Sequence, residues 1–326
     1  MKYIYATLCS MVFLSACNQD PIFSMISNEI KPKPPLINGS PSKLVKSGGN
    51  IYVVNGKLWK YSNGGWSHSP NAPSSVFDIA SGGSGLYLLS VNDGDTSVYI
   101  YNENGSKKIE NPTEYDMIQS IHGDDSAVYA GAMKSGSNSY AILQVNGVSL
   151  SVKKEISSPL TGVAGSYFST AINGIYNSSG GLVSGTSGYS IAGIIKIDGK
   201  ILAATSSGHI LEVNGNSVSA HSTGYAFTGG LAEYSGSGSG KLLLLGIKNN
   251  VYDMGYREMK LDGNYELSVP GDNASASTVS NRDKYRATLA KCAVNSLIQV
   301  NGELIFASTQ KDGLWAYRDG EWNAED

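Results

Sequence analysis

The sequence predicts an all-β fold organised as a seven-bladed β-propeller, and three observations carry that expectation. Glycine makes up 39 of 326 residues, tyrosine outnumbers phenylalanine 20 to 6, and only 16% of residues are charged. Averages lie near ~7% glycine and ~25% charged, so this is the profile of many short strands joined by glycine-rich turns. A motif recurs near both ends: Leu58-Trp59-Lys60-Tyr61-Ser62-Asn63-Gly64-Gly65-Trp66 and Leu314-Trp315-Ala316-Tyr317-Arg318-Asp319-Gly320-Glu321-Trp322. Each copy reads as strand, Asn-Gly or Asp-Gly turn, strand, because those dipeptides supply the positive-φ residues of a tight hairpin. Turn glycines then follow one another at Gly64, Gly105, Gly147, Gly180, Gly215, Gly263 and Gly320, with gaps of 41, 42, 33, 35, 48 and 57 residues. Four short strands per ~40 residues is the period of a propeller blade.

The remaining strands fall upstream of each hairpin. Apolar runs occupy 86–90, 127–133, 167–171, 201–205 and 242–247, and a further strand opens units at 76–80, 117–121 and 296–300. The domain at 42–326 thus divides into units at about 42–70, 76–112, 115–157, 159–189, 190–223, 225–269 and 293–326. Each unit has two apolar faces that only its neighbours can cover, so closing the ring buries them all and leaves short, protected edges. The first and last units are equally complete. Closure is therefore expected from packing between them, with residues 35–41 adding to an edge. The fourth unit is the least regular, which keeps six or eight blades as alternatives. A solenoid or a pair of sandwiches is the other all-β arrangement, and the period favours the propeller.

The N-terminus places the domain. Lys2 is a minimal positive n-region, and the apolar stretch from Tyr3 to Leu14 is too short to span a bilayer. It ends in Leu14-Ser15-Ala16-Cys17, which resembles the bacterial lipobox. That resemblance implies a signal peptide at 1–16, a diacylglyceryl group on Cys17, cleavage before it, and acylation of the new N-terminus with a palmitate-type chain. Two or three acyl chains anchor durably where one binds only marginally. The competing reading is an ordinary signal peptide with a chance cysteine. Residues 17–41 read as a tether, since Lys31-Pro32-Lys33-Pro34-Pro35 favours extended backbone. No other apolar run reaches ~18 residues, so no transmembrane helix is expected. The expected location is the bacterial cell envelope, on its periplasmic face or at the cell surface, with the membrane as one partner. After cleavage and modification Cys292 is the free thiol, and a buried small hydrophobe is its expected role.

The run from Leu304 to Gly320, read as apolar strand, Thr309, Asp312-Gly313 turn and Leu314-Trp315-Ala316-Tyr317, resembles the propeller repeats of two-component sensor ectodomains. It is also similar to the sialidase Asp-box, although the Ser308–Asp312 spacing is longer and Asp312 and Gly313 are adjacent. One segment breaks the repeat, the insertion at 270–292 between the sixth and seventh units. Ser280 can cap a short helix there, expected over 278–293, with Tyr285, Leu289 and Cys292 on one face. Arg282, Lys284, Tyr285, Arg286 and Lys291 are the candidate recognition residues, because Arg and Tyr are enriched at interface hot spots. The alternative for this helix is cover for a blade edge.

Chemistry is sparse. His68, His122, His209 and His221 show no metal spacing, and no G-x-S-x-G elbow or phosphate loop occurs. Asn92-Asp93-Gly94-Asp95 and His122-Gly123-Asp124-Asp125 read as solvated turns. Trp59, Trp66, Trp315 and Trp322 sit at fixed repeat positions, which assigns them to blade packing over sugar stacking. No catalytic residue, metal or cofactor is expected. A net charge of -3 excludes a dedicated nucleic-acid binder. The leading expectation is a non-enzymatic scaffold that binds a protein or envelope glycan through its propeller face, similar in outline to the propeller lipoprotein that assists outer-membrane protein assembly. A surface adhesin or glycan binder is the first alternative, and a propeller lyase or glycosidase the second.

Overall fold

Among the described residues, every strand pairs antiparallel with its neighbour in sequence, and the strands fall into seven separate sheets. The computed structural model describes residues 36–83, 85–236, 240–248, 255–270, 289, 292–302 and 304–325. Six sheets have four strands, at 45–68, 76–108, 117–156, 191–222, 227–268 and 294–324, and the sheet at 160–177 has three. This is a seven-bladed β-propeller, which removes the six- and eight-bladed alternatives. The three-stranded blade is the fourth, where residues 181–183 run beside the third strand in place of a regular fourth. Asn177 N–H donates to the Gly181 carbonyl at 2.9 Å, and Val183 N–H to that of Ile175 at 2.8 Å.

The turn chemistry follows the sequence motif. Asn63 and Gly64 have φ of 53° and 85°, and Asp319 and Gly320 have 53° and 83°. Both central residues of each hairpin are thus left-handed, as a primed turn with the right-handed sheet twist requires. Asn92 pairs directly with Asp95 across a turn at Asp93 and Gly94, so that acidic run is a hairpin.

Packing between blades closes the ring. The buried apolar residues form seven clusters, and each bridges one pair of adjacent blades. The cluster joining the seventh blade to the first holds Ile37, Leu44, Trp66, Phe306 and Leu314. Its Trp66 and Phe306 rings meet edge to face at 5.1 Å. Trp322, at the matching position of the last blade, packs on Tyr256 of the sixth at 5.7 Å. Among the described residues no strand is exchanged between the first and last sheets. Residues 36–39 instead strap onto the last blade: Leu314 N–H donates to the Ile37 carbonyl and Gly313 N–H to that of Gly39, both at 2.9 Å. Leu44 N–H reaches Ser296 Oγ at 3.0 Å, linking the inner strands of the two end blades.

This topology defines two faces. Turns from first to second and from third to fourth strand lie on one, the hairpin face. Turns from second to third strand and the blade-to-blade links lie on the other, the connection face. Cys17, the tether residues 17–35, the helix expected over 278–293, and Arg282, Lys284, Tyr285, Arg286 and Lys291 lie outside the described residues, apart from Leu289, Cys292 and Ala293 of that stretch. Cys292 is buried in the cluster between the sixth and seventh blades. No helix among the described residues is long and apolar enough to cross a membrane.

Candidate functional site

The first strand of each blade lines the central channel. A cavity of about 190 Å³ there is bounded by residues 43–45, 79–81, 122–123, 161–163, 193–194, 229 and 231, and 296–297, one set from every blade. The first strands of blades two to seven each carry a register shift near their start. A bulge bends a strand and re-aims the side chains beside it. The channel is narrow because inner backbones approach closely: a Cβ on Gly193 would lie 2.9 Å from the Gly229 carbonyl oxygen of the next blade.

Most of the lining is aliphatic or glycine, and the charged groups engage one another. Asp78 sits at the bulge of Val76–Gly82, where its Oδ1 accepts from Ile79 N–H at 2.9 Å. Its Oδ2 accepts from Ile121 N–H of the third blade, also at 2.9 Å. Lys43, just before the first blade, places Nζ 3.1 Å from Asp78 Oδ1. The same ammonium donates to the Ile121 carbonyl and lies 3.5 Å from His122 Nδ1. An ammonium offers only donors, so Nδ1 is the acceptor and the imidazole proton belongs on Nε2. Desolvation between the blades pushes the His122 pKa well below its ordinary 6.5, the Lys43 charge pushes it further, and the Leu160 carbonyl of the fourth blade opposes both. The channel thus holds a neutral histidine beside a satisfied ion pair, and this network joins blades one to four.

Two further cavities, of about 350 and 480 Å³, flank the channel mouth on the hairpin face. Both are lined by Gly123, Asp124 and Asp125. One continues over residues 163–165 to Lys196 of the fifth blade. The other crosses Gly82, Gly83 and Gly85 to Lys46 of the first. Asp124 Oδ1 braces its own turn, accepting from Ser126 N–H at 2.8 Å, Ser126 Oγ at 2.7 Å and Ala127 N–H at 3.0 Å. Asp125 is left exposed at the junction. The result is a concave path across five blades with glycine walls and charges at its centre and two ends. Among the described residues no group of His, Cys, Asp and Glu is arranged to hold a metal ion.

Lys43, Asp78 and this role of His122 were not singled out from sequence. An Asp inside the apolar run Val76-Phe77-Asp78-Ile79-Ala80 was the available signal. The tryptophans of the repeated motif go to the blade interfaces, as their spacing implied.

No curated protein matches the chain. Among solved structures it is similar to BBS1N in complex with ARL6DN, at TM-score 0.56 and 11% identity, covering 90% of this chain and 94% of that one. It is equally similar to the WD40 propeller domain of Doa1, at 0.56 and 11%, covering 87% and 94%. YCF48 bound to D1 peptide gives 0.54 and 12%, covering 88% and 94%. At such identities the likeness is one of fold alone. A family model of the TP013X lipoprotein family matches residues 2–252, well over half of the chain, and the chain belongs to that family.

Proposed function

We propose that the protein is held to an envelope membrane by acyl chains on Cys17 and acts as a non-enzymatic scaffold, binding a protein partner across the hairpin face of its propeller. The observation that carries this reading is the concave path around the channel mouth, lined by turns of blades one to four and the first strand of blade five. The exposed Asp125 supplies charge at the centre, with Lys46 and Lys196 at the two ends. Rigid scaffolds with variable loops commonly place recognition there. Within the channel, Lys43 and Asp78 satisfy each other and His122 is held neutral, which suits structure better than proton transfer. YCF48, a propeller of like fold, has been seen bound to D1 peptide, a precedent for a propeller that binds a polypeptide.

The test is photocrosslinking in intact cells. A photoreactive residue replacing Asp125 is expected to give protein adducts, whereas one replacing Val152, on the outer strand of the third blade, gives none. Equal labelling from both positions, or none from 125, refutes the reading.

A further inference from the structure

Eight large apolar side chains stand exposed among the described residues, and five of them lie on the connection face: Leu36, Phe77, Val91, Met117 and Ile172, each 36% to 63% exposed. Phe77 and Met117 lie at the start of the first strands of blades two and three, and Val91 at the end of the second strand of blade two. Ile172 is in the turn between the second and third strands of blade four. Leu36 marks where the chain enters the propeller, its N–H donating to the Glu325 carbonyl at 2.9 Å just after the last strand. Val148, Val152 and Leu182, the other three, lie on or beside outer strands. Single exposed apolar residues are ordinary, but an arc across three consecutive blades on the side where the tether joins is not.

We infer that the connection face rests against the lipid surface, with these five side chains in the headgroup layer. The inference rests on the anchor reading above. Leu36 lies nineteen residues after Cys17, a span of at most ~65 Å when fully extended. A bilayer tied that closely is present at high effective concentration. Under that condition a few apolar tips, too weak to recruit a free protein, are enough to choose which face turns toward the lipid. Asp93, Asp95, Glu114 and Asp116, exposed in the turn of blade two and the link to blade three, share this face. They stay hydrated, so the contact is shallow and a zwitterionic bilayer is its proper probe. In this orientation the concave path on the hairpin face points away from the membrane and stays open to a partner.

The test uses the full acylated chain in phosphatidylcholine vesicles, carrying Ile172→Cys labelled with an environment-sensitive fluorophore. Val148→Cys, at a turn on the opposite face, is the reference. Both positions are exposed, so neither change disturbs the core, and the buried Cys292 does not compete for label. The label at 172 is expected to shift to the blue and lose emission to spin-labelled lipid, while the label at 148 is quenched only by aqueous iodide. Iodide quenching at 172 equal to that at 148 overturns the inference. So does shielding at 172 from both quenchers, which means that protein covers the face. A chain that fails to float with the vesicles removes the anchor reading and this inference together. A chain that floats with 172 open to iodide removes this inference alone.

Discussion

Lys43 and Asp78 meet at 3.1 Å in the central channel, one preceding the first blade and the other on the bulge of the second. The Lys43 side chain is 34% exposed and that of Asp78 13%. The two partners therefore contribute very differently to stability.

Solvent screens the ammonium, so Lys43→Met is expected to cost about 1 kcal/mol or less. Asp78→Ala removes the acceptor for two backbone N–H groups of two blades and takes the counter-charge from Lys43, which keeps the Ile121 carbonyl. That loss is expected to reach roughly 2–4 kcal/mol. Urea titrations of both variants check the asymmetry, and equal shifts in midpoint contradict it.

His122 is expected to make the propeller acid-sensitive. Its folded-state pKa lies below the ordinary 6.5, chiefly through desolvation and then through Lys43. The unfolded chain binds the proton first as pH falls, so this contribution is complete above about 6.5 and declines below it until the folded pKa is reached. Unfolding midpoints measured from pH 8 down to 5 are expected to fall through that window, and His122→Gln is expected to flatten the fall. An unchanged slope in the variant assigns the sensitivity to other groups.

Among the described glycines, Gly123 leaves the least room for a side chain, against the next blade on the hairpin face. A Cβ there would lie 2.0 Å from the Ser81 carbonyl oxygen and 2.8 Å from its carbon, and backbone cannot yield as a side-chain end can. Gly123→Ala is expected to lose about 3 kcal/mol or more. Gly65→Ala, with nothing within 4 Å, is the control and is expected to melt near the parent temperature. Matching melting temperatures for the two variants would falsify the close-approach argument.

Cys17→Ser is expected to move the protein from the detergent phase to the aqueous phase in phase partitioning, because no helix among the described residues is long and apolar enough to span a bilayer. Retention in detergent locates the anchor elsewhere.

Features set by near neighbours were legible. Asn63-Gly64 and Asp319-Gly320 take the left-handed φ values that their dipeptides prefer, whatever the rest of the chain does. The recurrence of such turns, with apolar runs between them, was enough to specify an all-β repeat. The place of Trp66 and Trp322 followed from the same pattern, since a large aromatic at a fixed blade position has to be covered by the adjoining blade. The fourth unit, the least regular in sequence, is the blade whose sheet has three strands, though the sequence did not say which strand was missing.

The channel was another matter. Lys43 and His122 are 79 positions apart, and neither carries a local signal of the other. Their meeting depends on how far seven inner strands tilt and approach as the ring closes, and that is set by the volumes packed between blades. Strand alternation puts Phe77, Met117 and Ile172 on one face and Asp124 and Asp125 on the other, and closure sets how near they come across blades. By itself the sequence determined the repeat, its turns and its apolar seams, because hairpin geometry and strand alternation are short-range properties of the backbone. Only the tertiary structure decided the charge network in the channel, the concave path at its mouth and the apolar arc behind it, because each joins residues from different blades whose distances exist only once the ring is closed.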